Sequence, residues 1–444
     1  MTGSPWLSRR TRPLVPHDDS RCGWLQGVEA LTPAPPLAGD VEADAVVVGA
    51  GFTGLAVARA FTEAAPGRRV LLLEAQTAGF GASGRASGFV VDLAHFVARM
   101  APEAAEAYIR LARAGIAELR QRVHEEGIPC DWDDRGWLHV AWGEEGARSV
   151  AKLRGWLEGR GEDHLWLERD ELAEVTGVPF YRAGIRLPGS VLVQSGALVR
   201  GLAARLPSSV ERHDRTPVLQ LERQGSRWLI TTPGGRVKSE LVFLAVNGYT
   251  RRLGRLARRV LPLATFGSLS RPLSEREQEA LGGEREWGVL AEDAMGSTVR
   301  RTRDQRILIR NSVAYSPRLA YSAAALAEAR EAHRQAFAAR FPMLGDVAFE
   351  STWAGVMGVS PSRSPLFGEV APGAFYTGGF TGAGIAMGAV LGRLLVDLAL
   401  GRSSSCLEDA LALPGPTELP PEPFLSLGAR FETWRMKRQA GPVV

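Results

Sequence analysis

Three short glycine-rich stretches hold the residues whose types and spacing point to chemistry. The first lies in VVVGAGFTGLAVARAF, Val46 to Phe61, where Gly49-x-Gly51-x-x-Gly54 follows a β-branched run and opens onto helical spacing. In that context the first glycine permits a tight turn, the second lets backbone amides approach a pyrophosphate, and the third lets the helix pack closely on the strand. The N-terminus of the helix that follows favours the phosphate anions. Glu74 lies about 20 residues beyond Gly54 and ends the next apolar run, where its carboxylate can accept hydrogen bonds from ribose hydroxyls and would repel a 2′-phosphate. Strand, turn, helix and acid together predict a dinucleotide site in preference to a purely structural turn.

The second stretch, AQTAGFGASGRASG, begins immediately after Glu74 and carries Gly79, Gly81, Gly84 and Gly88 with one charge, Arg85. A nicotinamide cofactor has no need of such a loop, whereas one that continues past the pyrophosphate to a ribityl chain and a flat ring system needs backbone close by. An ordinary flexible loop is the plainer reading of the composition. The third stretch, YTGGFTGAGIAMG from Tyr376 to Gly388, leads into a late helix. Its Gly379, Gly382 and Gly384 suit either backbone amides aimed at the electron-rich edge of a flavin or close helix packing. Jointly, the three loops predict one long cofactor, FAD.

The elements that must position these loops are legible from periodicity. A strand over DAVVVGA, a helix over LAVARAFTEAA closed by Pro66-Gly67, and a strand over Arg68 to Ala75 make a βαβ unit. A helix is expected from Pro102 to Glu126, and the alternation GWLHVAW between Gly136 and Trp142 predicts a strand with one exposed face. Strand signals return at TPVLQLER, RWLITT and SELVFLAV, with Pro233-Gly234-Gly235 turning a hairpin, and again from Leu261 to Ser312. A helix follows over Ala323 to Arg340, capped by Ser322. Residues before Val41 are proline-rich and read as an arm that packs on the surface or stays mobile, and no internal repeat is present.

Length and composition set the frame. At 444 residues the chain exceeds one core, so two or three intertwined units are expected, and 45% apolar with 23% charged residues is the composition of an ordinary globular protein. The net charge of +4 comes from dispersed arginine, which argues against a nucleic-acid partner. Cys22, Cys130 and Cys406 follow no metal or disulfide spacing and read as reduced thiols in a cytoplasm; no metal site is expected. LSRRTR is followed by PLVPHDDSRCGW rather than by an apolar segment, so no export signal is read. AGIAMGAVLGRLLVDLAL carries Arg393 and Asp397 and reads as a buried helix rather than a membrane span. Nothing in the sequence speaks to oligomeric state.

The order GAGFTGL, LLLEA, GFGASGRASG, SELVFLAVNGYT, WAGVMGVSPSRSPLFGE and YTGGFTGAGI, from Ala43 to about Gly401, resembles the D-amino acid oxidase superfamily of FAD-dependent oxidoreductases. It looks closest to the branch of γ-glutamylputrescine oxidoreductase, glycine oxidase and sarcosine oxidase. The resemblance implies an α/β plus α+β fold. A Rossmann-like FAD-binding domain would be built from the discontinuous segments 41–100, 190–255 and 350–401, with an antiparallel-sheet substrate domain of residues 101–189 and 256–349. An N-terminal arm, 1–40, and a C-terminal tail, 402–444, would flank them.

Carried over by motif, Gly49, Gly51, Phe52, Thr53 and Gly54 would hold the pyrophosphate, with Glu74 and Ala75 at the ribose. Gly81, Ala82, Ser83, Arg85, Ala86 and Ser87 would line the ribityl region, and Val218 would meet the adenine through its backbone. Asn247 and Gly248 would lie near the pyrophosphate, and Gly379, Thr381, Gly382, Gly384 and Ile385 around the flavin ring. Departures from the family pattern are Arg85-Ala86-Ser87-Gly88 where relatives often read arginine-asparagine-glycine-glycine, and Asn247 where threonine is usual. The FAD is expected to be non-covalent, because Cys406 lies beyond the last flavin motif and the loop after Glu74 lacks histidine.

The reaction so implied is oxidation of a primary or secondary amine (an amino acid, N-methyl amine, polyamine conjugate or aminophosphonate). Hydride passes from the α-carbon to the flavin, the imine hydrolyses, and O2 is reduced to H2O2. Among Arg300, Arg301, Arg303, Arg306 and Arg310, alternation puts Arg306, Leu308 and Arg310 on one strand face. Arg310 is the candidate clamp for a carboxylate or phosphonate, since Arg310-Asn311 replaces the small glycines of relatives; a solvated sheet surface is the plain alternative. Tyr249, Phe266 and Trp353 are candidate pocket walls or simple core, and His95 and His139 are conceivable pocket members without a catalytic role. The family's oxygen-promoting lysine corresponds to a position near Leu308, which leaves open a dehydrogenase using another acceptor. A non-catalytic accessory flavoprotein and an NAD-dependent dehydrogenase are the remaining alternatives.

Overall fold

In the computed structural model, residues 10–11, 21–292 and 296–440 are described. The run VEADAVVV forms the strand Val41–Val48 at the heart of a nine-stranded mixed sheet. It pairs in parallel with Val70–Leu73 on one side and Gly235–Leu244 on the other, and Val70–Leu73 pairs onward with Val210–His213. Such strands are covered on both faces, which is why they read as continuous apolar runs. The hairpin Arg227–Thr232 to Gly235–Leu244 turns at Pro233-Gly234 and extends the sheet through Gln220–Gln224. Ala374–Gly378 joins in parallel with Gly235–Leu244 and brings the third glycine stretch to the same sheet end as the first.

Two helices cover one face. Phe52–Ala64 packs against Gly384–Ala399, and the contact is close enough that a Cβ on Gly392 would lie 2.6 Å from the Thr53 carbonyl oxygen. Pro102–Glu125 packs on the outer side of Gly384–Ala399.

A second sheet of eight strands runs in the order Phe349–Val359, Leu261–Ser270, Ile307–Tyr315, Thr298–Arg301, Trp287–Ala291, Trp137–Ala141, Ala183–Leu187, Leu165–Glu168. It is antiparallel apart from the parallel pairing of Trp287–Ala291 with Trp137–Ala141. The helix Ala323–Arg340 forms as expected, with the Ser322 hydroxyl accepting from Ala325 N at 3.1 Å.

Several expectations are corrected. Trp137–Ala141 is buried on both faces, because it is a central strand with apolar clusters on either side. Thr216 to Val218 precede the strand they were expected to begin, and a helix, Glu275–Leu281, interrupts the strand-rich stretch. Sheet membership also cuts across the expected divisions, since Phe349–Val359 belongs to the second sheet. The arm is not merely superficial: Cys22, Trp24 and Leu37 are buried, Trp24 with its ring edge-on to Trp353 at 6.4 Å. In the tail, Ser405–Ala412 contributes Leu407 and Ala410 to the core beside Pro102–Glu125. The LSRRTR stretch lies mostly outside the described residues.

Candidate active site

A cavity is shared by the end of the first sheet and one face of the second. On the first side the turn Gly49 to Gly54 is shaped by its glycines. Gly49 has φ 103°, and a Cβ on Gly54 would lie 1.7 Å from the Gly49 carbonyl oxygen. The helix Phe52–Ala64 starts at Gly51 with no side-chain cap, and Gly49, Gly51, Phe52 and Thr53 line the cavity. An uncapped helix N-terminus on a cavity is a ready site for a phosphate.

Glu74 lines the same cavity and is buried, its Oε2 accepting from Ala50 N at 2.7 Å and its Oε1 from Gln76 N at 2.9 Å. Burial pushes its carboxyl above the usual range, against these hydrogen bonds. Ala75 and Val218 adjoin it on the wall, and Thr216 N donates to the Glu74 carbonyl at 2.7 Å, which carries the chain past the adenosine end of the turn.

The second glycine loop folds as a short helix, Ala82–Arg85. Gly81, Ala82, Ser83, Arg85, Ala86 and Ser87 all line the cavity, and the Ser83 hydroxyl accepts from Phe52 N at 3.1 Å, locking this loop to the first. The Arg85 guanidinium is committed to backbone: Nε donates to Phe80 O at 2.8 Å and Nη1 to Ala354 O at 3.0 Å. Trp353 Nε1 returns a hydrogen bond to Arg85 O at 3.2 Å. Loop and second sheet are thereby held in one register.

On the second side the cavity wall is a cross-strand row. Trp353 pairs with Gly267, Gly267 with Arg310, Arg310 with Thr298, and Thr298 with Leu290, and all five line the cavity. Residues directly opposite in a ladder share a face, so the pairing itself aims these side chains inward. Leu308 lies two residues before Arg310 on the same face and also lines the wall. Arg310 Nη2 donates to Thr298 Oγ1 at 2.8 Å, and among the described residues no carboxylate pairs with it. Burial lowers its pKa, the mark of a cation held away from water without a counter-charge.

The structure sorts the five clustered arginines. Arg306 shares the face of Leu308 and Arg310 but lies outside the cavity, 2.8 Å from Asp304. Arg303 pairs with Glu286 at 3.1 Å, and Arg301 donates to Gly282 O at 2.6 Å. Arg300 is buried, donating to Val193 O at 2.6 Å and Ser87 O at 3.0 Å. Arg310 alone of the five reaches the cavity wall.

Of the other expected residues, Tyr249, Asn247, Gly382, Gly384 and Ile385 line the cavity. Gly54, Gly248, Gly379 and Thr381 do not. They stand one layer behind: Gly379 N donates to Asn247 Oδ1 at 3.1 Å, and Ser360 N to Thr381 Oγ1 at 3.1 Å. Phe266 is not a wall, being buried against Ala329 and Tyr321 on the far face of its strand. His139, next in the row after Leu290, is buried with Nε2 2.8 Å from Glu292 Oε2, and His95 is exposed; neither lines the cavity. Cys406 packs among helices away from it. Among the described residues no group of three His, Cys, Asp or Glu is placed to hold a metal.

Sequence reasoning missed Gly267, Thr298, Leu290, Thr265 and Met357 on the wall. Alternation around Arg310 was the available signal, but it becomes informative only once strand pairing is known. The helix start without a cap from Gly51, the buried carboxylate and the glycines that a Cβ would block fit one extended anionic cofactor.

The chain is similar to several known proteins. The chain is 27% identical over 421 residues to γ-glutamylputrescine oxidoreductase of Escherichia coli, covering 89% of this chain and 93% of that one. It is 24% identical over 387 residues to the probable oxidoreductase OrdL of Haemophilus influenzae, covering 83% and 85%. The crystal structure of glycine oxidase from Geobacillus kaustophilus superposes with a TM-score of 0.69 at 22% identity, over 82% of this chain and 96% of that one, which is a likeness of fold. Residues 44–398 match the family model for FAD dependent oxidoreductases, and the chain belongs to that family.

Proposed function

We propose that this enzyme oxidises a primary or secondary amine that also bears an anionic group, a carboxylate or phosphonate. The observation that carries the reading is Arg310, a half-buried guanidinium on the cavity wall whose partner among the described residues is a hydroxyl and not a carboxylate. Such a group is stabilised by an incoming anion that restores its counter-charge, through hydrogen bonds stronger than neutral ones.

Gly49, Gly51, Phe52 and Thr53 would receive the pyrophosphate of a non-covalent FAD, Glu74 the ribose, and the 81–87 loop the ribityl region. When bound, FAD supplies the acceptor for hydride from the substrate carbon. The chain's own contribution is positioning: Arg310 fixes the anionic end, while Trp353, Tyr249 and Leu308 exclude water around the amine. Among the described residues no carboxylate or histidine of the second sheet lines the wall beside Arg310, and in this reading the amine enters neutral, its proton having passed to solvent.

Dioxygen is the acceptor in this reading. A dehydrogenase is the second reading, favoured by the apolar Leu308 at the centre of the wall, where no lysine lines the cavity among the described residues. A cytoplasmic location suits either. The test is anaerobic titration of the FAD-loaded enzyme at its visible band with amino acids, N-methyl amines, polyamine conjugates and aminophosphonates. Bleaching by acid-bearing amines, and not by their amides, is expected. Bleaching by neutral amines alone would overturn the assignment, and readmitted oxygen separates oxidase from dehydrogenase.

A further inference from the structure

The C-terminal helix Phe424–Ala440 has two apolar sides, of which the fold uses one. Leu425 is buried and Ala429, Thr433 and Met436 are half-buried on the side toward the body, where the helix meets Ile307–Tyr315. The segment leading to it is fastened down. Leu419 N donates to Arg258 O at 2.7 Å, Arg258 pairs with Glu418 at 2.9 Å, and Glu422 accepts from Arg251 at 2.9 Å and from the Tyr315 hydroxyl at 3.1 Å.

The other side carries Phe424, Leu427, Phe431 and Trp434, which are 66, 61, 61 and 51% exposed. They are spaced three, four and three residues apart and therefore form one continuous stripe. They are four of the eight large exposed hydrophobic residues among the described residues, so the apolar surface is concentrated here. Phe431 and Trp434 touch, with ring centroids 5.8 Å apart.

The border of the stripe is basic. Helical spacing sets Arg430 along one edge and Arg435 along the other. Arg438 closes the far end with its guanidinium 5.0 Å over the Trp434 ring. The helix holds four basic residues and one acid, Glu432, which pairs with Arg435, its Oε2 accepting from Nε at 2.9 Å, so the border keeps a net positive charge through Arg430 and Arg438.

We propose that this helix docks the enzyme on an anionic lipid surface, lying flat with the stripe in the interface and the arginines on the headgroups. An apolar face rimmed by arginine is the pattern of an interfacial helix, since the long cationic stems reach headgroups while the rings sit below them. No helix among the described residues is long and apolar enough to cross a membrane, so the contact lies on the bilayer rather than through it. A second copy is the poorer occupant. A two-fold pairing of the stripes would bring Arg430 and Arg438 of both copies together, and the one acid, Glu432, is already paired with Arg435. The headgroup charges of an anionic bilayer complement that border.

The test is sedimentation of the full-length FAD-loaded enzyme with vesicles of phosphatidylcholine alone and of phosphatidylcholine with phosphatidylglycerol. Binding to the anionic vesicles, weakened by salt, is expected. Phe431→Ser with Trp434→Ser, and Arg430→Glu with Arg435→Glu, should each weaken it by roughly tenfold or more. Flavin content and melting temperature should hold, since these side chains are exposed. Failure to bind anionic vesicles would overturn the proposal, as would variants that bind like the parent. A dimer that the Phe431→Ser/Trp434→Ser pair dissociates, without vesicle binding in the parent, would assign the stripe to a second copy instead. Turnover does not enter the measurement, so the result is independent of the substrate reading.

Discussion

Arg310 and Trp353 face the same cavity from strands that are not neighbours, and the residue between them, paired to both, is Gly267. A Cβ on Gly267 would stand 3.4 Å from Trp353 Cζ2, in ordinary contact. The missing side chain thus leaves a slot one residue wide between a cation and an indole. Gly267→Val should fill the slot while leaving the strand intact, since β-branched residues suit strands. The expected outcome is a fall of at least about tenfold in kcat/KM, from the lost near-attack geometry. The ratio of flavin to protein absorbance should be unchanged, and a parallel loss of flavin would place the effect in folding.

Arg310→Met should separate substrate recognition from stability. Charge-assisted hydrogen bonds contribute about 1.5–3 kcal/mol, so acid-bearing amines should lose roughly 10- to 150-fold in kcat/KM while their amides are unaffected. Removing a half-buried cation that has no partner carboxylate among the described residues should leave the melting temperature level or raised. Equal losses for acids and amides would contradict the clamp.

The cofactor side was legible because its demands are local. The spacing Gly49-x-Gly51-x-x-Gly54 encodes a turn in which a Cβ on Gly54 would lie 1.7 Å from the Gly49 carbonyl oxygen, and no tertiary information is needed to read that. The substrate wall was legible only in part. Alternation put Leu308 and Arg310 on one face, but the row from Trp353 to Leu290 depends on pairing between distant strands. Phe266, a wall or core candidate, is core by plain alternation, because Thr265 and Gly267 on either side of it take the inward face. Trp24 was hidden in a proline-rich arm, because burial against Trp353 is a property of the closed fold and not of the segment.

Glu74 offers a test of the nucleotide end. Its two carboxylate oxygens accept from Ala50 N and Gln76 N, and Glu74→Gln replaces one acceptor oxygen by a donor that faces an N–H. FAD dissociation followed by fluorescence should rise about 10- to 100-fold, with the visible spectrum of bound flavin unaltered. An unchanged affinity would remove Glu74 from the site.

The His139–Glu292 contact gives a pH-dependent prediction. Burial works to raise the Glu292 carboxyl, but hydrogen bonds from His139 and Ser149 and the charge of Arg99 hold it down to about 2, against an ordinary 4.5. A carboxyl lowered in the folded state contributes stability that is present above about 4.5 and fades as pH falls toward 2. Glu292→Gln should therefore destabilise the protein by about 2 kcal/mol at neutral pH, a figure reduced for screening at the exposed Arg99. The difference from the parent should close as chemical-denaturation midpoints are followed downward from pH 5. A constant gap at every pH would show that the interaction does not depend on ionisation.

Arg300 connects the arm, the second glycine loop and the second sheet. Its Nη1 donates to Ser87 O and Val193 O, and its guanidinium lies 5.5 Å from the Trp24 ring and 5.9 Å from the Phe89 ring. Burial lowers its pKa to about 10, so it remains charged at neutral pH, and its Nε has no partner among the described residues. Arg300→Met would leave the two carbonyls without this donor at a site closed to water, a destabilisation of about 3 kcal/mol on ordinary values. Because Ser87 lies in the cofactor-facing loop, the loss should appear first as easier release of FAD and then as a lower melting temperature. Arg300→Lys should rescue only in part, since an ammonium can serve the two carbonyls that Nη1 serves but lacks the flat guanidinium that rests near two aromatic rings. If lysine restores both flavin retention and stability in full, one charged donor would account for the position, and the flat guanidinium near the two rings would have no part in holding the loop.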